Sequence, residues 1–180
     1  LVPLRADSLD AGETDSRIVP LEEAVKKNED VAPELISAET ENALSKYEEF
    51  MEDPEAQKQF KKGYRLMLEQ FFSGRPRRSS QVAAYIIHTQ KECPLLSNCY
   101  YWLGRSLYEQ SRYAAAALAF KKTLDQDIST KFPESLYFLG LCMLRLSHGS
   151  EARLYFFEYV QRYPDHRYAY YAEQFLERLP

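Results

Sequence analysis

The sequence predicts an all-α protein in which antiparallel helix hairpins stack in a row. From residue 55 onward, apolar residues recur at steps of three and four, which is typical of amphipathic helices, and alternating strand patterns do not occur. Short turns separate these helical segments, so consecutive helices should pack as antiparallel neighbours. In addition, several residue types recur at an interval of 36 residues, which indicates a structural repeat.

The chain divides into an acidic first part and a basic second part. Residues 1–57 contain sixteen acidic and five basic residues, a net charge of −11, whereas residues 58–180 contain eleven acidic and eighteen basic residues, a net charge of +7. Aromatic residues are almost confined to the second part. We therefore predict an acidic, largely disordered or extended arm over 1–36, a helix and linker over 37–57, and a folded repeat domain over 58–180.

The predicted helices follow one another with little sequence between them. A helix over 37–51 ends before Asp53, which is suited to cap the next helix, and Pro54, which is suited to its first turn. Seven further helices are predicted over 57–72, 79–91, 97–110, 113–124, 133–146, 150–162 and 167–179. Gly, Ser and Pro mark several of the intervening turns.

The 36-residue repeat pairs small residues with large ones. The recurring positions are Leu103 and Leu139, Gly104 and Gly140, Ala116 and Ala152, and Phe120 and Phe156. We expect the small residues where the two helices of a hairpin approach closely, and the large ones where successive hairpins meet. The pattern resembles the tetratricopeptide repeat (TPR) family, whose unit is ~34 residues. This resemblance implies a short TPR superhelix of about three hairpins over 58–180, with the helix over 167–179 as a C-terminal cap.

Two segments are most similar to the TPR proteins of the bacterial periplasm and cell envelope, of the Tol-Pal-associated type. They are the stretch over 99–108 and the helix ending at 162–164. The resemblance implies a periplasmic adapter or scaffold that binds a protein or peptide partner in its concave groove, within an envelope or membrane-protein complex. The trimerising coiled coil of that type is not matched, because residues 1–57 show no sustained heptads. The alternatives are a cytoplasmic adapter and a structural subunit of an obligate homo-oligomer or assembly complex.

The family's register also implies which side chains face the groove. The positions are Asn98, Tyr101, Trp102, Arg105, Glu134, Tyr137, Phe138 and Leu141 in two units, and Arg65 in the first unit. Aromatic and arginine side chains are typical of binding hot spots, and the polar tips of Tyr101, Arg105 and Tyr137 are expected to reach water or a partner. For Trp102 and Phe138 a place in the core is the alternative. Such a strip suits a peptide with apolar anchors and an acidic group.

A basic cluster marks the start of the repeat domain. It consists of Lys58, Lys61, Lys62, Arg65, Arg75, Arg77 and Arg78. One interpretation is a solvated surface, and the other is a site for an anionic partner or for the chain's own acidic arm. Nucleic acid is not an expected partner, since the whole chain has a net charge of −4.

No motif in the sequence indicates an enzyme, a metal site or a cofactor site. Cys93, Cys99 and Cys142 lack the spacing of a metal site, and the first two are interpreted either as a disulfide in an exported protein or as buried thiols. The histidines are His88, His148 and His166. They do not form a catalytic pattern, and the Gly-rich phosphate loop and the Gly-x-Ser-x-Gly elbow are both missing from the sequence.

Overall fold

The computed structural model describes residues 54–90, 93, 95–126 and 129–179, and within these ranges it contains seven helices and no strand. The helices are α1 (Pro54–Phe72), α2 (Pro76–Thr89), α3 (Leu96–Glu109), α4 (Tyr113–Leu124), α5 (Phe132–Arg145), α6 (Gly149–Arg162) and α7 (Ala169–Arg178). The predicted arm over 1–36, the helix over 37–51 and the cap at Asp53 lie outside the described residues. None of the described helices is long and apolar enough to cross a lipid bilayer.

The all-α prediction is confirmed for the described residues, and the seven helices differ from the predicted ones mainly at their starts. α1 and α2 each begin three residues earlier than predicted, at Pro54 and Pro76. Proline is favourable at the first position of a helix, because the N–H group it lacks has no partner there in any case. For α1, the prediction that Pro54 stands in the first turn is confirmed, although the helix bounds were given as 57–72; for α2, Pro76 was assigned to the preceding turn and instead begins the helix.

Every helix packs against the next one along the chain, and α3 also contacts α1 and α5. α3 thus has four helical neighbours, α1, α2, α4 and α5, whereas α7 packs against α6 at the end of the row. Among the described residues, the largest fully buried side chains are mostly aromatic, and the aromatic ones come from α1, α3, α4, α5 and α6.

The repeated glycines allow the two helices of a hairpin to approach closely. A Cβ atom added to Gly104 would lie 2.7 Å from the Phe120 ring, and one added to Gly140 would lie 2.8 Å from the Phe156 ring. Both phenylalanines are fully buried. Phe120 also stacks on Phe138 of the following hairpin, at 5.7 Å between ring centroids. The glycines thus lie where the two helices of a hairpin approach closely, as expected, whereas the phenylalanines, expected between successive hairpins, also fill the space within their own hairpin.

The three turns within hairpins share one backbone geometry. Their left-handed residues are Gly74 (φ 67°), Ser111 (φ 58°) and Ser147 (φ 61°). In each turn the next N–H group donates to a carbonyl five residues earlier: Arg75 to Gln70 at 2.9 Å, Arg112 to Leu107 at 2.9 Å, and His148 to Met143 at 2.8 Å. This is the Schellman arrangement that satisfies the carbonyls at a helix end. The sequence did not predict it for the two serines, because only Gly74 belongs to the residue type that favours a positive φ.

The three cysteines are free thiols, and all are buried. Burial raises the pKa of the Cys99 thiol well above its ordinary value, and the neighbouring Cys93 raises it further. Burial also raises the pKa of Cys142, to about 12. In this structure the thiols therefore correspond to the second sequence interpretation, buried apolar side chains without a disulfide.

Candidate partner-binding site

Eight of the nine predicted groove residues are buried. They are Asn98, Tyr101, Trp102 and Arg105 on α3, and Glu134, Tyr137, Phe138 and Leu141 on α5, with exposed fractions between 0% and 7%. Arg65 on α1 is exposed, and its Nε atom lies 3.0 Å from Oε1 of Glu69 one turn later. The structure brings the two groups on α3 and α5 together but does not add Arg65 to them through any hydrogen bond or ion pair between described residues.

The solvent-facing placement expected for Tyr101, Arg105 and Tyr137 is not found. α3 has neighbouring helices on several sides, and as a result ten of its fourteen residues are buried. α5 likewise buries ten of fourteen residues, among them Tyr137. The register implied by the family resemblance assigns these positions to the open face of a curved stack of hairpins. In this structure the same positions pack between helices.

Trp102 and Phe138 lie in the core. The indole N–H of Trp102 donates to the hydroxyl oxygen of Tyr64 on α1 at 3.2 Å, and its ring packs against Phe71 at 5.1 Å between centroids. The Phe138 ring packs between Tyr101 at 6.4 Å and Tyr108 at 5.7 Å. For these two residues the alternative prediction, a place in the core, agrees with the structure.

Arg105 is a buried cation held by aromatic rings. Its guanidinium carbon lies 4.2 Å from the centroid of Phe138 and 5.2 Å from that of Phe71, and its Nη1 atom donates to the Tyr101 hydroxyl at 3.1 Å. Among the described residues it has no hydrogen-bonded carboxylate, although Glu109 one turn later attracts it electrostatically, and its buried Nε atom has no hydrogen-bond partner. Tyr101 and Tyr168 hold the Arg105 pKa above its ordinary value despite burial, so the side chain remains charged.

A second charged group lies beside it, where α5 meets the loop before α7. Glu134 accepts a hydrogen bond from Nη2 of Arg167 at 3.3 Å, and Nε2 of His166 lies 3.7 Å from the same carboxylate oxygen. The Arg167 guanidinium packs over the ring of Tyr168 at 4.7 Å. Burial lowers the pKa of His166, Glu134 opposes this, and Arg167 and Lys131 lower the pKa further. His166 is therefore neutral near pH 7.

The loop before α5 completes the group. The Lys131 ammonium lies 5.7 Å from the Tyr101 ring centroid, and the Asn98 amide donates to Oγ1 of Thr130 at 3.3 Å, which ties this loop to α3. We call Tyr101, Arg105, Lys131, Phe138, Arg167 and Tyr168 the Arg105 cluster. It contains three cations, and Glu134 is the carboxylate bonded within it.

The Arg105 cluster offers cationic donors and aromatic faces, which is the chemistry that binds a carboxylate flanked by apolar groups. Burial raises the pKa of Tyr101 far above its ordinary value, so its hydroxyl stays protonated. The Tyr137 hydroxyl is buried without a hydrogen-bond partner, and its ring stacks on Tyr168 at 4.6 Å. No group of three or more His, Cys, Asp or Glu residues in the described ranges is arranged to hold a metal ion.

Sequence reasoning missed three members of the cluster: Lys131, Arg167 and Tyr168. They lie in the loops that precede α5 and α7, outside any helical register. The only sequence feature that could have indicated Lys131 and Arg167 is that each lies within three positions of the first residue of a helix that packs against its neighbours. Such a signal is weak, because loops elsewhere in the chain carry basic residues as well.

No family model matches this chain, and no curated protein is significantly similar to it.

Proposed function

We propose that this chain is a TPR-type adapter that binds an acidic segment of a protein partner at the Arg105 cluster. The repeated glycine–phenylalanine contacts and the three equivalent turns support the TPR-like repeat. On this proposal the hairpins form a short superhelix, and its role in the bacterial cell envelope is the one that the sequence resemblance implies.

The main support for this proposal is that the Arg105 guanidinium is buried and charged. A buried cation without a hydrogen-bonded carboxylate is costly, and the attraction of Glu109 together with the cation–π contacts with Phe71 and Phe138 offsets only part of that cost. An acidic group from a partner would supply the missing acceptor for Nε.

Access to the cluster is from the side of Arg167. Its side chain is 47% exposed, whereas Arg105 is 6% exposed. An incoming carboxylate would first replace or share the contact between Arg167 and Glu134, and would then approach the aromatic rings around Arg105. Apolar residues next to that carboxylate would pack on Tyr168 and its neighbours.

The single tryptophan provides a direct assay, because Trp102 touches Tyr101 and Phe71, which both contact Arg105. We expect peptides that alternate Asp with Phe or Leu to change Trp102 fluorescence in a saturable way. Arg167→Gln should weaken this binding about tenfold, since it removes one charge-assisted hydrogen-bond donor. Arg162→Gln, which removes an exposed arginine paired with Glu158 on α6, should not.

Equal responses to acidic peptides and to their Asn-substituted counterparts would contradict the proposal. The buried Arg105→Gln variant is informative only if circular dichroism and thermal unfolding show that it folds. In that case the peptide response should be lost while the helix content is unchanged.

A structural subunit is the second candidate, and a row of exposed apolar side chains favours it. Tyr85, Leu118 and Leu154 are 69%, 67% and 68% exposed, and each follows by two residues a fully or almost fully buried alanine, namely Ala83, Ala116 and Ala152. They therefore occupy equivalent positions on α2, α4 and α6. Equivalent apolar residues on successive helices form a surface that suits a second copy of the chain.

Sedimentation velocity at increasing protein concentration tests this second candidate. Concentration-dependent association that Leu118→Glu/Leu154→Glu abolishes would support a homo-oligomer, and Gln161→Glu, at an exposed position of α6, is the matched control. A monomer at all concentrations would favour the adapter.

A further inference from the structure

A second basic site lies at the tips of the first two hairpins, away from the Arg105 cluster. A cavity of about 650 Å³ is lined there by Gly74, Arg75, Pro76, Arg77, Arg78, Glu109, Gln110, Ser111 and Arg112. Four of the nine lining residues are arginines, and one is acidic. We call this space the four-arginine cavity.

We propose that the four-arginine cavity binds a compact ligand carrying two or more phosphate groups. The four arginines and Glu109 give the lining a formal charge of +3. Among the described residues, none of these arginines forms an ion pair, and all four are exposed. Their guanidinium groups are therefore available to a ligand, and the planar fork of arginine matches phosphate oxygens two at a time.

The cavity is held in shape by contacts between the two hairpins. The Gln110 amide nitrogen donates to the backbone oxygen of Pro76 at 3.2 Å and to Oγ of Ser80 at 3.2 Å, so it joins the end of α3 to the start of α2. Beneath it, Ser106 Oγ donates to Ser79 Oγ at 2.9 Å in the buried interface of the same helices. A site fixed in this way loses little conformational freedom when a ligand binds.

The size and chemistry of the lining argue for a multiply charged ligand. Drug-sized and cofactor-sized ligands occupy pockets of roughly 300–1,000 Å³, so this cavity is larger than one phosphate requires. Pro76 is the main apolar residue among those that line it, which disfavours an aromatic or lipid-tail ligand inside it. The helices α2 and α4 both begin at this cavity without a side-chain cap, and their N-terminal partial charges add to the positive potential.

This inference does not depend on the proposed adapter function, because the cavity and the Arg105 cluster share no residue. It gives a specific role to part of the basic cluster noted in the sequence, namely Arg75, Arg77 and Arg78. Arg112 lies three residues after the end of α3, and only the fold brings it to the cavity.

Calorimetric titration of inorganic pyrophosphate into the full chain tests the inference. We expect saturable binding at one site, weakened about a hundredfold in Arg78→Gln/Arg112→Gln because each arginine contributes about tenfold. Lys62→Gln/Lys121→Gln removes the same charge from exposed residues outside the cavity, and should change the affinity less than about threefold. Both variants are compared only after circular dichroism shows wild-type helix content.

The source of the phosphates is decided by vesicles of phosphatidylcholine with or without a phosphatidylinositol bisphosphate, whose headgroup carries more than one phosphate group. If acidic vesicles sediment the protein and pyrophosphate releases it, the ligand is a lipid headgroup. If pyrophosphate binds but vesicles do not, the ligand is a free phosphate compound.

Three results would overturn the inference. They are the absence of saturable pyrophosphate binding, an equal loss of affinity in the cavity variant and the lysine control, and binding of single-stranded oligonucleotides that pyrophosphate does not displace.

Discussion

At the scale of single residues, the molecule depends on side chains whose surroundings leave them little freedom. Gly140 faces the ring of Phe156, which is itself fixed by stacking on Phe175 at 4.7 Å. Burial favours the neutral form of His166, whereas Tyr101 and Tyr168 keep Arg105 charged despite its burial.

Gly140→Ala is expected to lower the free energy of unfolding by about 1–3 kcal/mol, as overpacking of a core does. The added Cβ would lie 2.8 Å from a ring that is fully buried and cannot move aside. Gly149→Ala is the control, since its Cβ would meet only Leu179 at an ordinary 3.8 Å. Urea unfolding followed by circular dichroism measures both, and equal effects would contradict the close-approach explanation.

His166 should make stability depend on pH below its ordinary pKa of ~6.5. Its pKa is lowered in the folded protein, so the unfolded state binds the proton more readily, and stability falls as the pH drops through 6.5. His166→Gln should therefore reduce the loss of melting temperature between neutral and mildly acidic pH. His88→Gln, at an exposed position of α2, is the control and should leave that loss unchanged.

At the scale of helices and turns, the three hairpins are closed by one recurring device. Ser111 and Ser147 adopt the left-handed conformation that glycine adopts at Gly74. A non-glycine residue in that conformation is strained, because its Cβ crowds the backbone. The turns nevertheless form, since each satisfies carbonyls at the end of the preceding helix.

Ser147→Gly is expected to raise the free energy of unfolding by about 0.5–1 kcal/mol, through relief of strain at φ 61°. Ser150→Gly provides the matched control, because it places glycine inside α6 and should lower stability by about half a kcal/mol. Thermal unfolding of the two variants should thus shift in opposite directions. A shift of the same sign would show that the turn is not strained.

At the scale of the whole molecule, the last helix covers the end of the row. α7 packs its buried Phe175 on Phe156, and the Arg153 guanidinium of α6 donates to the backbone oxygens of Leu176 at 2.8 Å and Leu179 at 2.9 Å. In a row where each element contacts mainly its neighbours, stability is a sum of local terms.

Phe175→Ala is expected to destabilise the molecule by about 3–5 kcal/mol, since it removes a large buried ring. Hydrogen exchange should accelerate first in α6 and α7 and least in α1 and α2. Tyr170→Ala, which truncates a side chain that is 65% exposed, should change neither quantity. Uniform acceleration across all helices would instead indicate a single cooperative unit.

The sequence by itself determined the described helices, their order and the close approach of two helices at each repeated glycine. This was possible because helical periodicity and the 36-residue interval can be recognised in the sequence without knowing which helices pack against each other. Pro76 begins a helix rather than ending a turn, which moved one boundary and left the element order unchanged.

Only the tertiary structure decided which faces of those helices are covered. Periodicity shows which face of its helix each of Tyr101, Arg105 and Tyr137 lies on. It does not show how many neighbouring helices cover that face of α3 or α5. Nor does it bring Lys131 and Arg167 to the same place, or Arg112 to the arginines of the preceding hairpin. Such convergence depends on contacts between residues distant in the chain, and the free energy of those contacts is set by packing rather than by local pattern.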